Sequence, residues 1–191
     1  LANRNAIIGG LQDNGTRVRS AATNTFNATI GGDGFGSIVH AKNASLMLGS
    51  IYYADAYKST DGGSNFTESI TGLTGAKDGA KANFWTRFYA FAGDTTGNTV
   101  FTFTNAAIFK STDFGSNWAS IGVGGLPATW VNRNMACHAS NGQVYGVVGA
   151  VGTGVTDPRV FLTQNAGSTW NQVGTWPTGT AFSYVWIDTN N

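Results

Sequence analysis

Lys110-Ser111-Thr112-Asp113-Phe114-Gly115-Ser116-Asn117-Trp118 is written three times in this chain, in closely related form. The other copies are Lys58-Ser59-Thr60-Asp61-Gly62-Gly63-Ser64-Asn65-Phe66 and Leu162-Thr163-Gln164-Asn165-Ala166-Gly167-Ser168-Thr169-Trp170. Their leading hydroxyl residues, Ser59, Ser111 and Thr163, lie 52 residues apart (59, 111, 163). A period of that length signals a solenoid, a propeller or an array of supersecondary units.

Each copy reads S/T-x-D-x-G-x-x-aromatic, and each place has a physical job. An Asp in a tight turn accepts hydrogen bonds from backbone N–H groups just ahead of it. The Gly supplies a positive φ that a side chain would penalise. The hydroxyl ties the turn to its own strand. The closing aromatic opens the next strand and buries a large apolar area against a neighbouring sheet. Ser59, Asp61, Gly63 and Phe66 fill these places in the first copy, and Ser111, Asp113, Gly115 and Trp118 in the second. In the third, Thr163, Asn165, Gly167 and Trp170 do so, with Asn in place of Asp, which keeps the turn and drops the charge.

The unit resembles the Asp-box (BNR) repeat of sialidases, xyloglucan-cleaving glycosidases, sortilin-type receptors and photosystem assembly factors, in which it marks the blades of β-propellers. Leu11-Gln12-Asp13-Asn14-Gly15-Thr16 looks like a degenerate further copy, with Phe26 in the place of the closing aromatic. Followed by Gly31-Gly32-Asp33-Gly34-Phe35, it is similar to secreted bacterial proteins of BNR or glycosyl-hydrolase-like type. The resemblance implies an all-β fold, a β-propeller of four-stranded blades, with about four blades' worth in this chain. One domain, 1–191, then divides into units of about 1–30, 31–70, 71–121 and 122–173, with 174–191 beginning or completing a blade. Function does not follow from the repeat alone, because the family holds enzymes, receptors and assembly factors alike.

Composition narrows the field. The 191 residues suffice for one substantial core. Only 11% are charged and the net charge is +1, so no basic field for nucleic acid or an acidic membrane exists. Ser, Thr, Asn and 27 Gly carry the polarity, which suits turn-rich β structure exposed to the medium. No apolar run reaches the length of a membrane span. Cys137, the one cysteine, sits in an apolar run and reads as a small buried hydrophobe. With the resemblance, these features point to an extracellular or periplasmic protein.

Short β-rich runs bounded by Gly, Asn and Asp place the strands. The second unit gives 37–41, 46–50, 52–58 and 65–70; the third gives 88–92, 99–104, 106–110 and 117–121; the fourth gives 135–139, 144–150, 159–163 and 169–173. The chain opens at 6–10, which aligns with the second strand of a blade, and closes at 183–188, which aligns with a first strand. Three arrangements are open: a piece of a larger propeller, whose remainder lies on the same or a second chain; a ring of two copies; or closure of the ends on each other, which would remove exposed sheet edges.

In propellers of this family the loops between blades carry the active site, opposite the boxes. Here those loops are 31–36, 71–87, 122–134 and 174–182. A glycosidase needs two carboxylates flanking the scissile bond. Asp33 and Asp78 are the only acids in these loops and are the catalytic candidates, against structural-turn and solvated-loop roles. Trp85, Trp130 and Trp176 fall at comparable places in successive units, and with Arg87 and Arg133 they form the candidate substrate-binding set. Aromatic faces suit sugar rings, although tryptophans also fill gaps between blades. Sialidase chemistry is disfavoured, because Glu68 is the only Glu and it follows a box. His40 and His138 occupy equivalent places in two innermost strands and read as polar residues lining a wet channel; with no third ligand, no metal is expected. No cofactor is expected either. The expected function is therefore carbohydrate recognition with a polysaccharide or glycan ligand, extending to glycoside hydrolysis, or else a non-catalytic scaffold or protein-binding propeller.

Overall fold

The computed structural model describes residues 5–20, 22–151, 157–175, 177 and 184–188, and all that follows concerns these. They form four antiparallel sheets whose strands run in sequence order. The first sheet holds β1 (Ile8–Leu11), β2 (Gly15–Arg19) and β3 (Phe26–Ile30). The second holds β4 (Ile38–Val39), β5 (Met47–Ser50), β6 (Ala56–Ser59) and β7 (Thr67–Glu68). The third holds β8 (Tyr89–Ala90), β9 (Val100–Phe103), β10 (Ile108–Ser111) and β11 (Ala119–Ile121). The fourth holds β12 (Trp130–Cys137), β13 (Tyr145–Val151), β14 (Pro158–Thr163) and β15 (Asn171–Thr175). No described residue is helical, and no helix is long and apolar enough to cross a membrane.

Burial grades across each sheet. Every residue of β5 and β9 is buried, whereas β7 is exposed and β11 largely so. A strand buried on both faces must be covered on both, so the sheets stack face to face. Leu48 of β5 packs with Val100, Phe109, Phe114 and Trp118 of the next sheet. Phe101 and Ile108 pack in turn with Tyr145, Val147 and Trp170 of the fourth.

The three repeated turns close the last hairpin of the second, third and fourth sheets. Ser111 Oγ accepts the Gly115 N–H at 2.7 Å and donates to Asp113 Oδ1 at 2.7 Å. Asp113 then accepts the Asn117 backbone and side-chain N–H groups at 2.9 and 2.7 Å. The turn at Ser59 repeats this set, with Asn65 as the donor. At Thr163 the geometry persists: Thr163 Oγ1 accepts Gly167 N–H at 3.0 Å, and Asn165 Nδ2 donates to Thr169 Oγ1 at 2.9 Å. Gly63, Gly115 and Gly167 have φ of 87°, 79° and 91°, where a Cβ is penalised.

The aromatic that follows does more than bury area. Trp118 donates its backbone N–H to Thr71 O and its indole N–H to Ser69 O, both at 2.9 Å, stitching its sheet to the preceding one. Trp170 repeats the stitch to Gly124 O and Gly122 O at 2.7 and 2.8 Å. Phe66 has no indole N–H with which to make it.

Several expectations need correction. Asp13–Gly15 is not a further copy of the repeat: it forms the first hairpin of its sheet, not the last, and Phe26 is 51% exposed rather than buried. Its last hairpin, residues 20–25, lacks the S/T-x-D-x-G pattern. Residues 52–55 form a turn, not a strand; Tyr53 and Ala54 have φ of 60° and 58° there. β12 begins at Trp130, five residues before the expected strand, so the loop ahead of it is shorter. Tyr184–Asp188 carry no strand, and Ser183 lies outside the described residues.

Candidate functional site

Because each sheet is a meander, the repeated turns share one end with the hairpins at 40–46, 91–99 and 138–144. The links between sheets share the other end with the hairpins at 51–55 and 104–107. The two concave features described next are built largely from those links and from the innermost strands.

The first is a cavity of about 840 Å³ on the inner side of the sheets. Strand β8 contributes Tyr89, β12 contributes Met135 and Cys137, and the links contribute Phe35, Trp85 and Arg87. The segment Tyr184–Ile187 lies along it, and Arg87 rests over the Tyr184 ring at 5.3 Å. Three aromatic faces at this cavity remain open to solvent: Trp85 is 55% exposed, Tyr184 76% and Trp186 90%. None of the ten carboxylates in the chain lines it. Burial pushes the Cys137 thiol up to about 12, with Lys110 pulling weakly the other way, so it stays protonated at neutral pH.

The second feature is a cleft of about 640 Å³ that shares no lining residue with the first. Tyr53, Asn83, Phe84, Asn105, Trp130 and Arg133 form much of its wall. Arg133 owes its place to a bulge: the pairing of β12 with β13 skips from Asn132 to Asn134, leaving Arg133 unpaired. Bulges re-aim side chains in this way. Phe84 stands between the two features, stacked on Tyr52 and edge-on to Phe35, Tyr53 and Trp85, with ring centroids 5.3–6.2 Å apart.

The sequence-derived candidates separate on this frame. Trp85 and Arg87 line the cavity. Trp130 does not offer an open face: it is 4% exposed, packs edge-on to Phe161 at 5.1 Å, and donates to Asn132 Oδ1 at 2.8 Å. Its inward place follows from the early start of β12. Trp176 lies outside the described residues. Asp33 and Asp78 each have their own local partners. Asp33 accepts the Asp13 backbone N–H at 2.7 Å, fastening the first hairpin to the link after β3. Asp78 accepts the Ala80 N–H at 2.9 Å and pairs with Lys81 at 2.9 Å, contacts that hold its carboxyl below the usual range. Neither lines the cavity or the cleft.

The two histidines each serve a turn. His40 Nδ1 accepts the N–H groups of Lys42 and Asn43 at 3.1 and 3.0 Å, and His138 Nδ1 accepts those of Ser140 and Asn141 at 3.2 and 3.0 Å. Each imidazole caps the turn that leaves its innermost strand. Among the described residues, no group of three or more His, Cys, Asp or Glu is placed to hold a metal.

Sequence reasoning missed Phe84, Tyr53, Tyr184 and Trp186. The turn at 52–55 gave no glycine or asparagine as a signal, and residues 184–188 read as strand. The one cue that Tyr184 and Trp186 offer is their spacing of two, which sets both on one face of an extended segment.

No protein-family model matches this chain, and no curated protein matches it significantly. Solved structures do. It superposes on an ancestral GH74 enzyme with a TM-score of 0.76 at 18% identity, over 99% of this chain and 26% of that one. On the GH74 enzyme of Niastella koreensis the TM-score is 0.64 at 16% identity, over 90% and 28%. A looser superposition, TM-score 0.46 at 14% identity, is found with YCF48 bound to D1 peptide, too loose to bear on this chain. The chain thus has an all-β, multi-bladed, propeller-like fold like that seen in these GH74 enzymes, and it spans about a quarter of their length.

Proposed function

We propose that this chain supplies the carbohydrate-binding face of a secreted Asp-box β-propeller. The observation that carries the reading is the set of open aromatic faces, Trp85, Tyr184 and Trp186, gathered with Arg87 at the mouth of the inner cavity. Such faces stack on the apolar sides of sugar rings while a neighbouring cation fixes hydroxyl orientation. The three hydrogen-bonded turns support the Asp-box assignment, and the low charge and turn-rich composition support an extracellular or periplasmic setting.

Binding is favoured over hydrolysis from this chain alone. Glycoside cleavage takes two carboxylates across the bond, and no carboxylate lines the cavity. A hydrolytic centre would need acids from the rest of a larger propeller, in the same protein or on a second chain. That same lack of carboxylates favours, as the second reading, a non-catalytic propeller that holds a protein.

Calorimetric titration with a panel of neutral plant and microbial oligosaccharides, xyloglucan fragments among them, separates the readings. Carbohydrate binding predicts a saturable isotherm that Trp85→Ala and Trp186→Ala each weaken about tenfold, with no release of reducing ends. A silent panel would overturn it in favour of the protein-binding reading.

A further inference from the structure

The cleft beside Arg133 contains two polar atoms that the fold leaves unsatisfied. Arg133 Nε and Asn105 Oδ1 are both buried and neither has a hydrogen-bond partner. One is a donor and the other an acceptor, and both residues line the same wall. Buried polar atoms are almost always paired, so two orphans of opposite kind in one cleft ask for a ligand.

The guanidinium identifies the ligand's chemistry. Arg133 Nη1 donates to Asn83 Oδ1 at 2.6 Å, and among the described residues it is the only nitrogen of the group with a partner. Asn83 is itself fixed, because its Nδ2 donates to Asn132 O at 2.7 Å. That leaves the Nε–Nη2 edge, which matches the two oxygens of a carboxylate. Elsewhere in this chain the same edge is filled: Arg159 gives Nε and Nη2 to the Asp157 carboxylate at 3.2 and 2.6 Å, and Arg19 gives both to Asn24 Oδ1. At Arg133 no carboxylate lines the cleft, and among the described residues the arginine is its only charged one. Asn105 adds an acceptor suited to a hydroxyl. Tyr53, held at a φ of 60° by bonds to Asn83 O and from Lys77 N–H, and Phe84 add aromatic surface.

We infer that this cleft binds an acidic sugar unit, a hexuronate, by a bidentate Arg133–carboxylate contact with a ligand hydroxyl donated to Asn105 Oδ1. The carboxylate assignment stands on Arg133; its being carried on a sugar rests on the carbohydrate reading above. The site is separate from the open aromatics of the inner cavity.

Calorimetry with trigalacturonate and its methyl ester, which keeps the rings and removes the charge, tests the inference. The free acid binds the wild-type protein, and the ester binds about ten- to a hundredfold more weakly, the range of one charged bidentate contact. Arg133→Gln produces the same loss, and Arg133→Lys recovers part of it, since lysine keeps the charge without the fork. Circular dichroism of each variant verifies folding. Trp186→Ala, at a residue that lines only the cavity, leaves acid binding unchanged while weakening the neutral glycans bound there. Equal binding of acid and ester, or acid binding untouched by both Arg133 variants, overturns the inference without touching the cavity reading. So does tighter binding of an acetylated dipeptide carboxylate than of the uronate. Loss of neutral-glycan binding alone would instead count against the cavity.

Discussion

Ser111→Ala tests whether the repeated turn holds the fold or merely decorates it. Ser111 is buried, and its Oγ has three contacts: it accepts Gly115 N–H at 2.7 Å and Asp113 N–H at 3.3 Å, and donates to Asp113 Oδ1 at 2.7 Å. Removing the hydroxyl forfeits a net bond of about 1 kcal/mol and strands the Gly115 N–H in a buried turn, which costs about 1–3 kcal/mol. Asp113 keeps both Asn117 donors, so little more is lost there. The sum is about 2–4 kcal/mol, a fall in Tm of about 4–16 °C for a chain of this size. Ser111→Thr is the control that the protein itself supplies. Thr163 holds the third turn with the same two short contacts, to Asn165 Oδ1 at 2.9 Å and from Gly167 N–H at 3.0 Å. That variant is expected within about 0.5 kcal/mol of wild type. Urea denaturation followed by tryptophan fluorescence reads both. The reasoning fails if Ser111→Ala lies within about 0.5 kcal/mol of wild type, or if Thr is as damaging as Ala.

Trp118→Phe keeps a ring in the core but removes the indole N–H from Ser69 O; denaturation should show a loss of about 1–2 kcal/mol, whereas Phe66→Trp should gain nothing unless it finds a carbonyl to meet. Cys137, whose thiol is pushed up to about 12 by burial, should resist alkylation at pH 8 in the native protein and react fully in urea, as a timed thiol titration would show. Acid should weaken the turns: Asn65 and Ser59 donors hold Asp61 at about 2, and Asp113 is likewise lowered on balance by its Asn117 and Ser111 donors against opposing desolvation. A depressed carboxyl stabilises above its unfolded value near 4 and loses that stabilisation as pH falls toward 2, so Tm is expected to be flat above pH 5 and to drop below 4. The Asp61→Asn/Asp113→Asn double variant should flatten that drop. Asp55 runs the other way, because desolvation raises its carboxyl; Asp55→Asn should raise Tm at pH 7 and not at pH 3.

What the sequence made legible follows from which constraints are local. The turn S/T-x-D-x-G satisfies its own hydrogen bonds within seven or so residues, so its period could be read directly, and with it the order of strands in the second, third and fourth sheets. Asp13–Gly15 misled because Asp and Gly serve any tight hairpin with positive φ, and both residues have it, at 64° and 72°. The turn at 52–55 was invisible for the opposite reason. Tyr53 and Ala54 sit in left-handed conformations that their side chains disfavour, and distant groups hold them there: Asn83 O takes the Tyr53 N–H, and Thr86 Oγ1 takes the Ala54 N–H. No local pattern encodes a turn that is imposed from thirty residues away.

The site was less legible, and Trp130 against Trp85 shows why. Both are tryptophans in links between units, at comparable places in the period, yet one is core and the other open. The difference lies in Asn132. Counted as polar, it argues for a loop; in the fold it is fully buried, donating to Thr104 O and Ala107 O and accepting the Trp130 indole N–H. Asn132 thereby stands in for an apolar residue in the alternation of β12, whose inward places include Trp130, Asn132 and Met135. A buried, satisfied asparagine belongs to the five-residue extension of the strand, shares its inward face with Trp130 and borders the bulge that sets Arg133 in its cleft. The orphaned guanidinium edge is thus a consequence of long-range hydrogen bonding. It becomes visible only when every neighbouring donor and acceptor has been assigned, and it is why Arg133, rather than the carboxylates sought first, is the most informative charged residue of the link face.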